Sequence, residues 1–316
     1  MILRNTFKLM FTNFSLTYKI FLHRLVALLI ALGVSGTVGA SFLIYIKGIN
    51  FAGFLTNEIA VMFENINLGN IFIAFKNITL KTIEVVSNLD KNLLINAIIS
   101  ISLFFVVYGL IASLSNLAVI DALNSNMSSK TKISYFKSMV GKSLKSICCT
   151  IIKFILSIPY IVCVGLIFYF GFRLYDSSVQ ILKVVIPAGM FLVFVIISSI
   201  HLVIFSAFEP SIIVNDKGIF SSLKINFNTT KKKFFRLLSN SLMLVFILTI
   251  CNLLISVFSF FAGLIITLPI TYLLIDLFKI ISYYECNGMR YYLGDTIRTP
   301  LRKCESDKIN KLKYII

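Results

Sequence analysis

A few polar side chains interrupt the apolar stretches of this chain, and they are the residues best placed to do chemistry. Tyr272, Asp276 and Lys279 follow one another at spacings of four and three residues, which places them on one face of a helix. This spacing predicts an ion pair between Asp276 and Lys279. A substrate or proton site is the alternative, because ionisable groups at bilayer depth are costly and usually face the protein interior.

His201 is the fourth member of this candidate intramembrane polar site, and it lies in a separate apolar stretch. We expect a neutral hydrogen bond between helices there, with a proton carrier as the alternative.

The rest of the sequence offers little for catalysis. The whole sequence contains two histidines, one of which is His201, and it lacks an HExxH pair, a nucleophile elbow and paired CxxC motifs. GKS at residues 141–143 lacks the upstream glycine of a phosphate-binding loop, since position 136 is Phe136. We therefore predict no catalytic residue, no metal ligand and no cofactor, and we expect that the protein is not an enzyme.

The composition is that of a membrane protein. Hydrophobic residues make up 58% of the chain and charged residues 14%, against about 45–50% and about 25% in soluble proteins. The formal net charge of +17 raises the question of nucleic-acid binding. The basic residues, however, lie between apolar runs instead of forming one continuous stripe, so we expect no nucleic-acid partner.

Six membrane spans follow from the apolar runs. The longest run without Lys, Arg, Asp, Glu or His, Leu237–Ile275, has 39 residues, about twice the ~20 that cross a bilayer core, so it predicts two spans with a turn near Gly263. The predicted spans are residues 24–46, 93–119, 151–172, 184–208, 237–259 and 262–284. The predicted fold class is all-α: a polytopic transmembrane helical bundle of six spans with cytoplasmic amphipathic helices.

The segments between the spans predict the domain organisation. Residues 1–23 read as a basic amphipathic cytoplasmic helix, 24–290 as the six-span domain, and 291–316 as a basic cytoplasmic tail. Within the six-span domain, residues 47–92 form an outer segment with two helical apolar patterns, which would cover the outer ends of the spans or act as a lid.

The positive-inside rule sets the orientation. Twenty-four of the 30 Lys and Arg residues fall in segments on the side of the N-terminus, so both termini are expected in the cytoplasm. Cleavage of a signal peptide after Ala40 is the competing interpretation of the first apolar run. This apolar run continues beyond Ala40 and is longer than the apolar core of a signal peptide, which favours an uncleaved span.

A basic amphipathic segment precedes each pair of spans. The one before the fifth span ends in Lys231, Lys232, Lys233 and Arg236, which are candidate contacts for the headgroups of anionic inner-leaflet lipid. The alternative is that these residues only anchor the span at the inner surface.

The loop before this segment has its own signals. Pro210 cannot continue a regular helix, so we expect the fourth span to end or kink there. Asp216 is a candidate N-cap for the helix that follows.

The region Glu209–Leu242 resembles the central loop of a broad family of bacterial six-span membrane proteins. This family includes the membrane domain fused to some glycerophosphodiester phosphodiesterases, and most of its stand-alone members have no established function. The resemblance rests on a proline after the fourth span, an acidic and glycine-containing turn and a Leu-Lys helix, represented by Pro210, Asp216, Gly218, Ser221, Ser222, Leu223 and Lys224. It implies a six-span fold and a location in a bacterial cytoplasmic membrane, and it says nothing about activity.

Two functional hypotheses remain open. The first is a non-enzymatic membrane or accessory component that interacts with anionic lipid or with a partner membrane protein. The second is a small-molecule transporter or permease with a polar site around Asp276 and His201.

Overall fold

The structure is a computed structural model that describes residues 2–64, 68–131, 133–178, 182–259, 262–294 and 296–299. Helices dominate these residues, which confirms the predicted all-α helical bundle. The helices are α1 Ile2–Thr12, α2 Phe14–Val38, α3 Ala40–Gly48, α4 Phe51–Glu64, α5 Leu68–Ser87, α6 Lys91–Ser129, α7 Tyr135–Gly141, α8 Ser143–Ser177, α9 Leu182–Ile204, α10 Phe208–Val214, α11 Ile219–Lys232, α12 Phe234–Phe258 and α13 Leu264–Asn287. A short antiparallel hairpin follows, with strands β1 Tyr291–Leu293 and β2 Thr296–Arg298.

Six helical segments of the described chain are long and apolar enough to cross a membrane, as in a multi-pass membrane protein. They are Phe14–Val38, Lys91–Ser129, Ser143–Tyr175, Val185–Val214, Phe234–Ser256 and Leu264–Asn287. Each predicted span overlaps one of them. The helices extend past most of the predicted limits, because a helix continues into the polar loop residues that end an apolar run.

Contacts divide the chain into two units. The first comprises residues 1–23, 113–157 and 198–316, and the second comprises residues 24–112 and 158–197. The first unit holds the candidate site residues.

The core of the first unit forms where α1 packs against α13. Ile2 and Leu9 of α1 are buried in the same apolar cluster as Leu273, Leu277 and Ile281 of α13. The far end of α13 is closed by Gly288 in the left-handed region, with a φ of 67°, where only glycine is unstrained. Burial on α13 therefore fixes one face of the N-terminal segment, for which the sequence predicts a basic amphipathic cytoplasmic helix.

The structure corrects the predicted cap of α11. Gly218 is the residue at the N-cap of this helix, while Asp216 lies two residues earlier with a φ of 44°. The exposed carboxylate of Asp216 accepts a hydrogen bond from Lys145 Nζ at 3.0 Å instead. That bond and the charge of Lys145 hold the pKa of Asp216 below its usual value. The prediction that Asp216 caps α11 is wrong, because Asp216 lies in the turn before the helix and its side chain accepts a hydrogen bond from Lys145 of α8.

The second unit is held by close packing of small and aromatic residues. Ser100 of α6 donates a hydrogen bond to the carbonyl of Ser35 at 2.8 Å. Gly39 lies directly under the Ser100 side chain, so a methyl group at position 39 would collide with it. Asn77 of α5 donates to Glu58 of α4 at 3.1 Å, and these two helices account for most of the predicted outer segment. Its proposed role as a lid stays a prediction.

Replacing Gly39 with alanine tests this close approach. We expect Gly39→Ala to lower the thermal stability of the purified protein, because a methyl forced into a packed contact costs about 1–3 kcal/mol. Gly36→Ala is the matched control, since nothing lies within 4 Å of its added methyl. The measurement is the midpoint of heat-induced loss of the monodisperse peak in size-exclusion chromatography. Equal midpoints for the two variants would contradict the packing described here.

Candidate functional site

The site begins at a break between α9 and α10. Proline has no N–H, and inside a helix its ring clashes with the carbonyl four residues earlier. For Pro210 that carbonyl belongs to Ser206, and the helix is interrupted at residues 205–207. Pro210 instead occupies the first turn of α10, where a missing N–H has no cost. The predicted interruption of the fourth span is therefore present, a few residues before the proline itself.

Asn226 of α11 replaces the backbone hydrogen bonds that the break removes. Its Oδ1 accepts from the N–H of Ala207 at 3.0 Å, and its Nδ2 donates to the carbonyl of Ile204 at 2.6 Å. The residue is completely buried. An amide that satisfies one donor and one acceptor matters here, because an unpaired buried backbone group costs about 1–3 kcal/mol.

The break places Glu209 among three other charged side chains. Glu209 is only 2% exposed, and its Oε1 lies 2.6 Å from Nζ of Lys153 on α8. Its Oε2 lies 3.4 Å from Nζ of Lys279 on α13, and Lys279 also contacts Oδ1 of Asp276 at 2.8 Å. We call Lys153, Glu209, Asp276 and Lys279 the Glu209 cluster.

The Glu209 cluster contains two carboxylates and two ammonium groups, so its formal charges balance. Burial of any one of them alone would cost several kcal/mol, and the arrangement compensates each charge with an opposite one. The cluster also ties three elements together, since α8, α10 and α13 each contribute a charge. Chemically it is a closed set of ion pairs.

His201 lies beside the cluster on the last turn of α9. Its Nε2 is 2.8 Å from Oγ of Ser157, and Ser157 Oγ donates to the backbone carbonyl of Lys153 at 2.7 Å. Since the serine has a single hydroxyl proton, the imidazole Nε2–H must be the donor in the first bond. His201 therefore makes the hydrogen bond between helices that was expected of it.

The structure brings together only some of the residues proposed for the intramembrane site. Asp276 and Lys279 form the predicted ion pair, and Tyr272 lies one turn earlier on α13 with an exposed side chain. Sequence reasoning missed Glu209 and Lys153. A signal was present, since Glu209 is the only acidic residue between Asp176 and Asp216. Glu209 lies one residue beyond the predicted fourth span, and Lys153 lies near the start of the predicted third span.

The four candidate lipid contacts have different surroundings. Lys233 donates from Nζ to the carbonyls of Glu285 and Cys286, both at 3.1 Å, and so satisfies the C-terminal end of α13. Arg236 lies 3.7 Å from the buried carboxylate of Glu285. Lys231 is exposed, and the side chain of Lys232 lies outside the described residues.

Glu285 also anchors the N-terminal helix. Its Oε1 accepts from the hydroxyl of Tyr291 at 2.9 Å, and that hydroxyl accepts from Nδ2 of Asn5 at 2.7 Å. Burial, followed by the charge of Glu285, raises the pKa of the Tyr291 phenol above its usual range. The phenol therefore stays protonated at neutral pH and can keep donating to the carboxylate.

Helix α11 has an unusual distribution of polarity. Its buried face is polar, with Ser222, Asn226 and Thr230 at spacings of four. Its opposite face is exposed and alternates phenylalanine with lysine at helical spacing. We call this exposed stripe the Phe/Lys face, and it consists of Phe220, Lys224, Phe227 and Lys231. Phe220 is 79% exposed and Phe227 is 52% exposed, so half of the stripe is apolar surface without cover in the described chain.

Two other basic segments repeat this combination. On α1 and α2, an exposed helical stripe consists of Arg4, Lys8, Phe11, Tyr18 and Leu22. On α7 and the start of α8, the exposed residues are Phe136, Lys137, Val140, Leu144 and Lys145. All three stripes belong to the unit that contains the Glu209 cluster.

Comparisons of the chain with known protein families, with curated proteins and with solved structures find no match.

The Glu209 cluster yields a stability prediction. Glu209→Gln removes one charge and leaves Lys153, whose side chain is 25% exposed, without its partner. Loss of one partner costs up to about 3–5 kcal/mol at buried pairs. The same exchange at Glu84, whose side chain is 57% exposed and pairs with Lys81, should change stability by at most about 0.5 kcal/mol.

Both variants are compared with the parent protein by thermal melting in the same detergent. A melting midpoint for Glu209→Gln equal to that of Glu84→Gln would show that the cluster does not stabilise the fold.

Proposed function

We propose that this protein is a non-enzymatic component of a bacterial cytoplasmic membrane that binds anionic lipid of the inner leaflet through its basic helices. A partner membrane protein is the other occupant consistent with the same surface. The observation that carries the proposal is the Phe/Lys face of α11. Phenylalanine rings that point away from the protein beside lysines fit the boundary between acyl chains and negatively charged headgroups.

The reversed polarity of α11 supports this assignment. A helix at the surface of a soluble protein buries its apolar face and exposes its polar face. Helix α11 buries Ser222, Asn226 and Thr230 and exposes Phe220 and Phe227, and Ile219 and Leu223 are the apolar residues that pack inward. A nonaqueous phase over the two phenyl rings would remove their apolar surface from water. The exposed lysines add attraction of about 1 kcal/mol each near an anionic leaflet.

The contacts of the charged groups in the described part of the chain are consistent with a non-enzymatic role. The four charges of the Glu209 cluster neutralise one another, and the ring of His201 is hydrogen-bonded to Ser157. The resemblance of the Glu209–Leu242 region to bacterial six-span membrane proteins supports a membrane component and says nothing about activity.

Lipid binding is tested with the lysines of the Phe/Lys face. The full-length protein is equilibrated with micelles of equal phosphatidylglycerol and phosphatidylcholine, and the bound lipids are identified by native mass spectrometry. The parent protein should retain phosphatidylglycerol preferentially. Lys224→Gln with Lys231→Gln should lower the ratio of bound anionic to neutral lipid by up to about 25-fold, since each lysine contributes a factor of about five.

Lys81→Gln together with Lys76→Gln serves as the matched control, because these lysines lie in the predicted outer segment. An unchanged lipid ratio in the Lys224→Gln, Lys231→Gln variant would exclude the face as a lipid site. The preference should also weaken at high salt, where exposed charges are screened.

The orientation is tested by labelling from outside the cell. In a cysteine-free background, Lys81→Cys should react with a membrane-impermeant maleimide in intact cells, because it lies in the outer segment. Lys224→Cys should react only after the membrane is opened. Labelling of Lys224→Cys in intact cells would reverse the proposed topology.

A transporter or permease is the second candidate, and the broken helix beside the Glu209 cluster is the observation that favours it, since interrupted helices mark many transport sites. The transporter is the less favoured of the two proposals, because Asp276 is already paired with Lys279. Proteoliposomes with an internal pH dye would show a proton flux driven by a potassium diffusion potential if the cluster carries protons, and Asp276→Asn would abolish it. A flux equal to that of empty liposomes would exclude proton coupling.

A further inference from the structure

Helix α11 connects two features of the molecule through its opposite faces. One face carries Asn226, which holds the ends of the broken backbone at Ile204 and Ala207. The other is the Phe/Lys face, which points outward. Because both belong to one rigid helix, the position of one face sets the position of the other.

Glu209 depends on the same break. It is the second residue of α10, directly after the segment that Asn226 bridges. Ser211 of α10 donates its single hydroxyl proton to the carbonyl of Phe208 in the same helix at 2.8 Å, and its Oγ also lies 3.3 Å from the carbonyl of Ser222 on α11. Asn226 therefore holds the end of α9 and the residue just before α10 against α11. Glu209 follows Ala207 by two residues and pairs there with Lys153.

We propose that α11 is a lipid-responsive latch: docking of its Phe/Lys face on an anionic bilayer holds Asn226 on the α9–α10 break and thereby keeps Glu209 in its ion cluster. This inference rests on the proposed lipid-binding function and adds its consequence inside the protein. The latch involves no covalent step. Its effect is a shift in population between molecules in which Asn226 bridges the α9–α10 break and molecules in which it does not.

The direction of the effect follows from the geometry of α11. A rotation that takes Asn226 away from Ala207 turns Phe220 and Phe227 away from the phase that covers them. An anionic bilayer therefore binds the latched form more tightly than the opened form, and a ligand shifts an equilibrium toward the form that it binds better. Loss of the bilayer charge removes the part of this preference that Lys224 and Lys231 supply.

The exchange rate of a single backbone amide reports on the latch. The N–H of Ala207 donates to Asn226 Oδ1, so it exchanges with solvent only when the latch opens. Its deuterium uptake is measured in the full-length protein in nanodiscs of phosphatidylglycerol and, separately, of phosphatidylcholine. We expect exchange in phosphatidylglycerol to be slower by about fivefold to 25-fold, from the contribution of one or both lysines.

Three variants separate the two faces of the helix. Lys224→Gln with Lys231→Gln leaves Asn226 intact and should abolish the difference between the two lipids, because these lysines supply the attraction to the anionic headgroups. Asn226→Ala should give fast exchange in both lipids. Asn228→Ala, an exposed position on the same helix, is the matched control and should behave like the parent protein. If Asn226→Ala does not fold, the lysine variant still decides the question.

The outcomes distinguish this inference from the proposed function. Equal Ala207 exchange in the two lipids, with retained preference for binding phosphatidylglycerol, overturns the latch and leaves lipid binding in place. If the parent protein shows no preference for binding phosphatidylglycerol, both the latch and the proposed lipid-binding function are refuted. Protection that is equal in the two lipids and rises only with native membrane proteins would assign the Phe/Lys face to a protein partner and would also overturn the latch.

Discussion

The buried carboxylate of Glu209 is the constraint on which the surrounding unit depends. A charge without water must be matched by opposite charges at short distance, and otherwise it destabilises the fold by several kcal/mol. Lys153 and Lys279 come from α8 and α13 to meet this requirement, and Asp276 balances the second lysine. The relative placement of these three helical elements is therefore tied to one side chain.

Glu209 reaches this position because the chain is interrupted just before it. The interruption follows from Pro210, and its cost is offset by Asn226, which supplies both a donor and an acceptor to the free backbone groups. A buried polar residue on α11 is thus required for the break. Ile219 and Leu223 of the same helix pack against an apolar cluster, while Phe220 and Phe227 are exposed. The buried Asn226 and the ion cluster are two consequences of the same local geometry.

The sequence predicts the class of fold well, because apolar runs of bilayer length are a strong signal, and it also predicts the ion pair between Asp276 and Lys279 from their spacing. It fails at Glu209 and Lys153, since a contact between residues 56 positions apart has no local pattern. It fails at Asp216 as well, because turn and cap residues have the same composition, and only the backbone angle distinguishes them. Lys233 and Arg236 are candidate lipid contacts in sequence, and sequence alone does not show that both also lie near Glu285 at the end of α13.

The most direct test of this account is a double-mutant cycle between Lys153 and Glu209. The free energies of unfolding of the parent, Lys153→Met, Glu209→Gln and the combined variant are measured in one detergent under reversible denaturation. A coupling energy above about 1 kcal/mol, the range found for residues in contact within one network, is the predicted result. Additive effects within about 0.3–0.5 kcal/mol, as for independent sites, would contradict the claim that this ion pair organises the unit.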